Sequence, residues 1–162
     1  MDQAQRIERF WRSSGAGVGA ATPPAWSFGD SPALADELLE LALRGEKTAM
    51  ASALWEFEAE GDPLPQPGDL AIVLDGAGEP RALIRTTAVV VVPFEEVSAE
   101  HASLEGEGDL SLDYWRVEHE RAWRGTLAHT RYEFDTRMLV VCERFELLFP
   151  AEPRRHGAHG RT

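Results

Sequence analysis

The sequence predicts an α+β fold, in which helices pack around a small mixed, mostly antiparallel β-barrel. Helical spacing of apolar residues dominates the first part of the chain, and strand-like runs interrupted by further helices follow it. The connection Asp75-Gly76-Ala77-Gly78 between two such runs has the length and residue types of a hairpin turn rather than of a βαβ crossover. Because hairpins join antiparallel neighbours, these observations favour a barrel over a doubly wound parallel sheet.

Length, composition and charge limit the classes of protein that fit. The 162 residues match one domain with tails, and the hydrophobic share of 43% is that of an ordinary globular core. The formal net charge of -12 opposes broad, non-specific binding to nucleic acid, so any phosphate contact has to be a local basic site. The single cysteine, Cys142, has no partner for an internal disulfide, and no long apolar run follows the polar N-terminus. We therefore expect a cytoplasmic protein with no signal peptide and no membrane contact.

Residues 1–24 are predicted to form an N-terminal helix and loop. Apolar residues recur at helical spacing from about Asp2 to Ser13, and the segment from Ser14 to Pro24 is rich in Gly and Ala and closes with two prolines. The glycines of residues 15–19 resemble a dinucleotide-binding loop, but they follow a helix instead of a strand, so we reject that interpretation.

A second helix is predicted to begin at Ser31, a good N-cap residue that is followed by a proline at the first helical position. Gly45 is its natural end. Lys47 follows two residues later, where the carbonyl dipoles of a helix terminus favour a cation. The segment from Ala53 to Glu60 has helical propensity, and the glycines and prolines of residues 61–68 break it.

The second half of the chain contributes the strands. Leu70 to Leu74 and Ala82 to Val92 read as a hairpin, in which the valines of residues 89–92 are expected to be paired and buried, because such a run is hazardous on an exposed edge. Strand-like sequence from Phe134 to Phe149 closes the domain of residues 25–150. The remaining residues 151–162 are predicted to be a disordered tail.

Two serines mark further helices between these strands. Ser98 can cap a short helix in the acidic stretch that leads to Glu105, and Ser111 can cap a longer one that extends to about Leu127. Trp115 and His119 belong to one helical stripe of the longer helix. Most carboxylates of the acidic stretch are expected to form a solvated face, but one beside a lysine would perturb the pKa of its partner.

Lys47 is the only lysine in the sequence, because every other basic residue is Arg or His. An amine is a compact point charge whose pKa shifts readily on burial, which a guanidinium cannot match. The alternative is a solvated lysine on a turn.

Five short motifs in this order resemble those of the bacterial ASCH domain proteins, whose fold is similar to the PUA β-barrel. The resemblance covers roughly Trp26 to Phe149. The motifs are Trp26-Ser27-Phe28-Gly29, Gly45-Glu46-Lys47-Thr48-Ala49, Glu58-Ala59-Glu60-Gly61 leading to Leu64-Pro65, Arg85-Thr86-Thr87, and Glu105-Gly106-Glu107-Gly108-Asp109 followed by Trp115-Arg116 and His119.

The resemblance implies a PUA-like domain that binds RNA or modified nucleosides, and some members act as ribonucleases or as small amidohydrolases that deacetylate 4-acetylcytidine. The amidohydrolase pattern has a Lys, a Thr three residues later, and a Glu in the helix after the long strand. Here these positions correspond to Lys47, Met50 and Glu105. A thioether has no proton to lose and cannot be the acyl-accepting nucleophile, so Met50 departs from the pattern, and the nearby hydroxyls of Thr48 and Ser52 do not occupy the matching position.

The same residues make chemical sense as a nucleoside site. Lys47 can hold a phosphate or carbonyl oxygen, and Glu105 can accept a hydrogen bond from an exocyclic amine or act as a general base. Aromatic side chains can stack on a splayed base, although tryptophans at helical spacing are more often core residues. Arginines either meet phosphate or pair with acidic neighbours. The substrate-binding candidates are Thr48, Trp55, Arg85, Trp115, Arg116, His119 and Tyr132.

Two functions from different classes follow. The first is a module that binds RNA, a nucleoside or a nucleotide at a pocket lined by Lys47 and Glu105. The second is a metal-independent hydrolase in which these two residues transfer protons or stabilise charge, on RNA or on an acylated nucleoside. A third alternative is a protein-interaction domain with an unused pocket. The spacing of the histidines and Cys142 matches no metal motif, so we expect neither a metal nor a cofactor. The sequence leaves turnover, ligand identity and oligomeric state open.

Overall fold

A computed structural model describes residues 1–17 and 19–150. Within these residues the fold contains five helices, five strands and one 3₁₀ turn at Phe94–Glu96. The helices are α1 Gln3–Ser14, α2 Pro32–Leu43, α3 Leu54–Glu60, α4 Ala99–Leu104 and α5 Leu112–Leu127, and the strands are β1 Ala25–Ser27, β2 Ala49–Ala53, β3 Leu70–Leu74, β4 Pro80–Pro93 and β5 Leu139–Phe149.

The strands form one curled sheet in the order β1-β3-β4-β5-β2. Only the short pair of β1 and β3 is parallel, and the other three pairs are antiparallel. Strands β4 and β5 pair from Leu83 opposite Phe149 to Pro93 opposite Leu139, with irregularities that bend the long ribbon. The α+β prediction with a mostly antiparallel barrel-like sheet is therefore confirmed, as an open half-barrel.

Helix starts follow the predicted capping chemistry. The side chain of Asp2 accepts from the backbone N–H of Gln5 in a capping box, and Ser31 accepts from Leu34 at the start of α2. Ser98 and Ser111 cap α4 and α5 in the same way. None of the helices within the described residues is both long and apolar enough to cross a membrane.

Two faces of the sheet carry separate cores that position the site described below. The cluster under α2 contains Phe28, Leu39, Ile84 and Phe145, and we call it the α2-side cluster. The opposite face of β5 contributes Val140 and Cys142 to a second cluster, the α5-side cluster, whose other buried members include Phe94, Trp115 and Trp123. Alternate residues of β5 thus face alternate cores, as the period of two in a strand requires.

The structure corrects two boundaries around Lys47. The segment Ala49–Ala53 is an edge strand paired with β5, and α3 begins only at Leu54, whereas the sequence predicted helix from Ala53 and no strand before it. The Ala and Ser residues of this segment have little intrinsic strand preference, so pairing with β5 decides its conformation. The three-residue strand β1 was also missed.

The structure also corrects two predictions, the burial of the valines of residues 89–92 and the residue at which the last strand begins. Val89 to Val92 pair with β5 as expected, but the prediction that they are buried is wrong, because Val90 is 56% exposed and Val91 is 39% exposed. Residues 134–138 form a loop, in which the ring of Phe134 packs at 87° on that of Phe94, and β5 begins at Leu139. The predicted disordered tail of residues 151–162 lies outside the described residues.

Candidate functional site

Lys47 sits in the turn that ends α2 and starts β2. The backbone N–H groups of Glu46 and Lys47 both donate to the carbonyl of Leu41, at 2.9 and 3.1 Å, which closes the helix and turns the chain inward. The Lys47 side chain is only 3% exposed. Its Nζ donates to the carbonyl of Ala49 at 2.9 Å and of Glu105 at 3.3 Å. A buried ammonium is thus held by two backbone carbonyls, so it is not the solvated turn lysine of the alternative reading.

Glu105 ends α4 and points its carboxylate at four donors. Oε2 is 2.8 Å from His101 Nε2 and also accepts from the Trp115 indole N–H, whereas Oε1 lies 3.4 Å from His119 Nε2 and 3.8 Å from Lys47 Nζ. Burial alone raises the pKa of Glu105, but the hydrogen bonds from both histidines and the charges of His119 and Lys47 outweigh it and hold that pKa well below its usual range. Glu105 is therefore ionised and largely satisfied.

Glu107 is the second carboxylate of this site, and sequence reasoning did not select it. Its Oε2 lies 3.6 Å from Lys47 Nζ, and its side chain is 22% exposed. Burial raises the pKa of Glu107, against the lowering effect of the Lys47 charge and together with the repulsion from Glu105. The Glu-Gly-Glu-Gly repeat was the available signal, because Gly106 at φ +74° reverses the chain and returns the second glutamate to the same lysine.

His119 on α5 completes the site. Its Nδ1–H donates to the Trp115 carbonyl at 2.9 Å, and its ring stacks on the Trp115 indole with centroids 4.1 Å apart, so Nε2 faces Glu105. Burial lowers the pKa of His119, but the hydrogen bond and charge of Glu105 outweigh it and raise that pKa above its ordinary value. We refer to Lys47, Glu105, Glu107 and His119 as the polar cluster.

The polar cluster also has ligand atoms of the type that metals use. One atom each from Glu105, Glu107 and His119 lie within 4.8 Å of one another. Carboxylate and imidazole ligands suit several divalent ions. The Lys47 ammonium, however, already supplies a positive charge 3.6–3.8 Å from both carboxylates, which opposes a divalent cation in the same space. The absence of a metal therefore stays a prediction.

The predicted arginines and the threonine have other partners. Arg85 forms an ion pair with Glu146 across the β4–β5 ribbon, and Arg116 donates from Nη2 to the carbonyl of Glu95 at 3.2 Å. Thr48 lies next to Lys47 in sequence, but its hydroxyl is directed to the Leu104 carbonyl at 3.5 Å. Among the described residues, no hydrogen bond or ion pair connects these three side chains to the polar cluster.

The predicted stacking residues separate into two groups. Trp115 is buried and holds Glu105 and His119 in place. Trp55 and Tyr132 instead stack on each other, with centroids 6.3 Å apart, beside a cavity of about 280 Å³. That cavity is lined by Leu54, Trp55, Glu58, Leu127, Tyr132, Glu133, Met138 and Leu139, none of which belongs to the polar cluster.

Comparison with known proteins gives one family. The family model for the ASCH domain matches residues 24–148. A crystal structure from Enterococcus faecalis, described as a protein of family model DUF984, is 35% identical, with a TM-score of 0.81 over 98% of both chains. The crystal structure of an ASCH domain from Lactobacillus crispatus is 29% identical, with a TM-score of 0.80 over 91% of this chain and 95% of that one. No curated protein matches the chain.

Proposed function

The chain belongs to the ASCH domain family, and from that premise we propose that it binds RNA or a modified nucleoside at the polar cluster. ASCH domains share the PUA-like fold of RNA-binding proteins. One observation carries the proposal further: a buried ammonium, two carboxylates and an imidazole converge from three segments of the chain, namely the turn before β2, the turn after α4 and helix α5.

The distances within the polar cluster leave its two cationic groups without strong hydrogen bonds to the carboxylates. Separations of 3.4–3.8 Å from Glu105 to His119 and Lys47, and from Lys47 to Glu107, are too long for strong direct hydrogen bonds. A ligand oxygen that approaches from the Glu107 side can accept a shorter charge-assisted hydrogen bond from Lys47 or His119. Lys47 has two of its three N–H donors committed to carbonyls, which leaves one for a phosphate or carbonyl oxygen.

Access to the cluster runs past Glu107, because its side chain is far more exposed than those of Lys47 and Glu105. The net charge of -12 repels polyanions at long range. Affinity must therefore come from a few desolvated contacts, which favours a short single-stranded RNA or a nucleoside over a long duplex.

The test is a panel of nucleosides and short RNAs, with binding and turnover measured together. We expect Lys47→Ala to weaken binding by about 1.5–3 kcal/mol, the value of a charge-assisted hydrogen bond, in samples whose folded state is verified by circular dichroism. The control Arg121→Gln removes only an exposed ion pair with Glu118 and should bind like the wild type. Truncation after Pro150 should also change little. If truncation abolishes binding and Lys47→Ala does not, binding is an electrostatic effect of the tail.

A second candidate function is metal-independent cleavage of RNA, and the raised pKa of a partly exposed Glu107 favours it. Glu107 would take the proton of the ribose 2′-hydroxyl, whose oxygen attacks phosphorus, and protonated His119 would give a proton to the departing 5′ oxygen. Glu105 fits the role of base less well than the sequence implied, because its donors stabilise the ionised form. Turnover that is lost in Glu107→Gln while binding persists would support this function.

The amidohydrolase alternative has a direct test of its own. Met50 packs against the α2-side cluster and offers no hydroxyl at the position of the expected threonine. We expect the wild type not to deacetylate 4-acetylcytidine efficiently and Met50→Thr to approach the family pattern. Robust wild-type turnover would mean that another hydroxyl or a water is the nucleophile.

A further inference from the structure

The second half of β4 has a neighbouring strand on one side only. Strand β3 pairs with β4 as far as Arg85, and the last backbone hydrogen bonds on that side, within the described residues, join Thr86 to residues 68 and 69. Strand β5 continues on the other side of β4 up to its end. We call the segment Thr87 to Val92 the open edge, because no other part of the described chain pairs with its outer side.

The hydrogen-bond pattern shows which backbone groups of the open edge point outward. Phe94, just past β4, donates its N–H to the carbonyl of Met138, on the side of β5, at 2.8 Å. The backbone groups of successive residues point to alternate sides of a strand, so the even-numbered residues 88–92 bond to β5. The N–H and C=O groups of Val89 and Val91 therefore point away from β5, and they have no partner in the part of the chain that the structure describes.

The side chains of the open edge are apolar and partly exposed. Val90 is 56% exposed and Val91 is 39% exposed, and the segment contains no charged residue. The irregularity at Thr87 and the proline at position 93 bound this segment, but the four valines between them lack the charged side chain that commonly protects an edge strand. Outward donors and acceptors beside exposed valines form a template for another strand.

We propose that the open edge is a docking surface for a second copy of this chain, and that the two open edges pair antiparallel about a two-fold axis between their Val90 residues. In this register Val89 of each copy lies opposite Val91 of the other, and each such pair exchanges both of its N–H···O=C hydrogen bonds. The two sheets then join into one, in the order β2-β5-β4-β4-β5-β2.

The chemistry of the edge favours a second copy as the partner. Val90 meets Val90 of the other copy in a non-hydrogen-bonded pair, where side chains are closest, so the most exposed valines of the edge cover each other. The same register brings the exposed Arg85, which precedes the open edge, towards the exposed Glu95 that follows the open edge of the other copy. The edge is therefore complementary to itself in both shape and charge.

The neighbouring symmetric registers are less favourable. A shift in one direction sets Val89 opposite Pro93, which has no N–H to donate. A shift in the other direction sets Val91 opposite Thr87, at the irregularity of the ribbon. Only the register centred on Val90 uses the outward groups of both valines without either defect.

Charge limits the strength of this contact and predicts how it depends on salt. Each copy has a formal net charge of -12, so two copies repel each other at long range. Two short paired strands also bury little surface compared with a stable dimer, so the association is weak and reversible. Because salt screens the repulsion, high ionic strength should favour the dimer, whereas it weakens binding to RNA phosphates.

The test is analytical ultracentrifugation of the full chain from about 5 µM to about 1 mM, at low and at high salt. The wild type should dimerise as its concentration rises, and more strongly at high salt. Val90→Lys places like charges opposite each other and should raise the dimer dissociation constant at least about tenfold. Val117→Lys adds the same charge at a 66% exposed valine on α5 and should dimerise like the wild type.

Amide hydrogen exchange, followed by NMR, identifies the strand that pairs. In dilute wild type the N–H groups of Val89 and Val91 should exchange much faster than those of Val90 and Val92, which bond to β5. At high concentration Val89 and Val91 should become protected as well. This measurement needs no variant, so it decides the question even if Val90→Lys does not fold.

Three results would overturn the proposal. The first is a wild type that remains monomeric at about 1 mM and high salt. The second is a dimer that Val90→Lys does not weaken, or in which Val89 and Val91 stay unprotected. The third is protection of Val89 and Val91 in the monomer that disappears on truncation after Pro150, because the end of the chain would then cover the edge. Lys47→Ala should dimerise like the wild type, so a failure of RNA binding at the polar cluster leaves this inference unaffected.

Discussion

His119 Nε2 lies 3.4 Å from Oε1 of Glu105, and the hydrogen bond from His119 Nδ1 to the Trp115 carbonyl fixes this orientation. A neutral ring with its Nδ1 protonated would direct the Nε2 lone pair at a carboxylate, which is repulsive. The protonated ring instead donates to Glu105 from Nε2. The α5 histidine and the carboxylate after α4 therefore form an ion pair that holds α4 and α5 together at the site.

This ion pair predicts the titration of His119. Its pKa should lie above the ordinary 6.5, since the hydrogen bond and charge of Glu105 outweigh burial. Glu105→Gln should lower the His119 pKa, whereas Glu120→Gln on the exposed face of α5 should leave it unchanged. Histidine NMR titrations of the three proteins check this. An equal His119 pKa in the wild type and Glu105→Gln would contradict the pairing.

The Trp115 indole should contribute to stability beyond its packing. Trp115→Phe removes the donor to ionised Glu105, and we expect that loss to cost about 1.5–3 kcal/mol in addition to the packing change. Trp55→Phe is the matched control, because the Trp55 Nε1 is buried with no partner among the described residues. Urea unfolding of both variants gives the comparison. Equal losses would mean that the Trp115–Glu105 hydrogen bond adds nothing to packing.

Gly106 should tolerate a side chain much less well than Gly61, which has the same backbone conformation. At Gly106, φ is +74° and a Cβ would lie 2.5 Å from the Glu46 carbonyl oxygen, immediately before Lys47. Gly61 has a φ of +69° and nothing within 4 Å of its Cβ position. Gly61→Ala should therefore cost about 1–2 kcal/mol for the left-handed conformation alone. Gly106→Ala should cost clearly more and should also weaken ligand binding by displacing Lys47. Equal unfolding free energies of the two variants would show that the loops before Lys47 and after Glu105 are not in close contact.

Glu143 should make stability fall as the pH rises from about 4.5 to 7. Its pKa is 4.5 when unfolded and about 7 when folded, so the folded state keeps a proton that the unfolded state loses first. The stabilising contribution is complete below pH 4.5 and is lost as the pH passes 7, and its size is at most about 3 kcal/mol. The difference in unfolding free energy between the wild type and Glu143→Gln, measured in urea from pH 4.5 to 8, separates the contribution of Glu143 from that of His119. A flat difference would mean that Glu143 ionises normally.

Local chemistry explains the elements that sequence analysis predicted well. The signals act over a few residues: the serine caps at residues 31, 98 and 111, helical periodicity, and the Asp-Gly turn before β4. The sequence alone therefore determines α2, α4, α5 and the β3–β4 hairpin. The two short strands β1 and β2 depend on distant partners, Ile72 to Leu74 and Val140 to Arg144, and lack a local signal.

For the site, the sequence identified Lys47, whereas the partners of Lys47 became visible only in the tertiary structure. Lys47 was identifiable because the chain contains no other lysine, and Glu105 and His119 because of the family motifs that contain them. For Glu107 the Glu-Gly-Glu-Gly repeat was the available signal, and the burial of Glu143 was not identifiable, because a glutamate in a strand looks the same whether it is solvated or buried. Arg85 and Arg116 were candidates by charge alone, and their carboxylate and carbonyl partners are visible only in the fold.

The sequence by itself therefore determined the fold class, most helix boundaries and the lysine at the centre of the site. Only the tertiary structure decided that Lys47 is buried, that Glu105 is saturated with donors, and that Gly106 returns Glu107 to the same ammonium. The physical reason is range: caps and periodicity operate within a few residues, whereas the desolvation and charge that set a pKa depend on groups that are up to 72 positions apart in the chain, as Lys47 and His119 are.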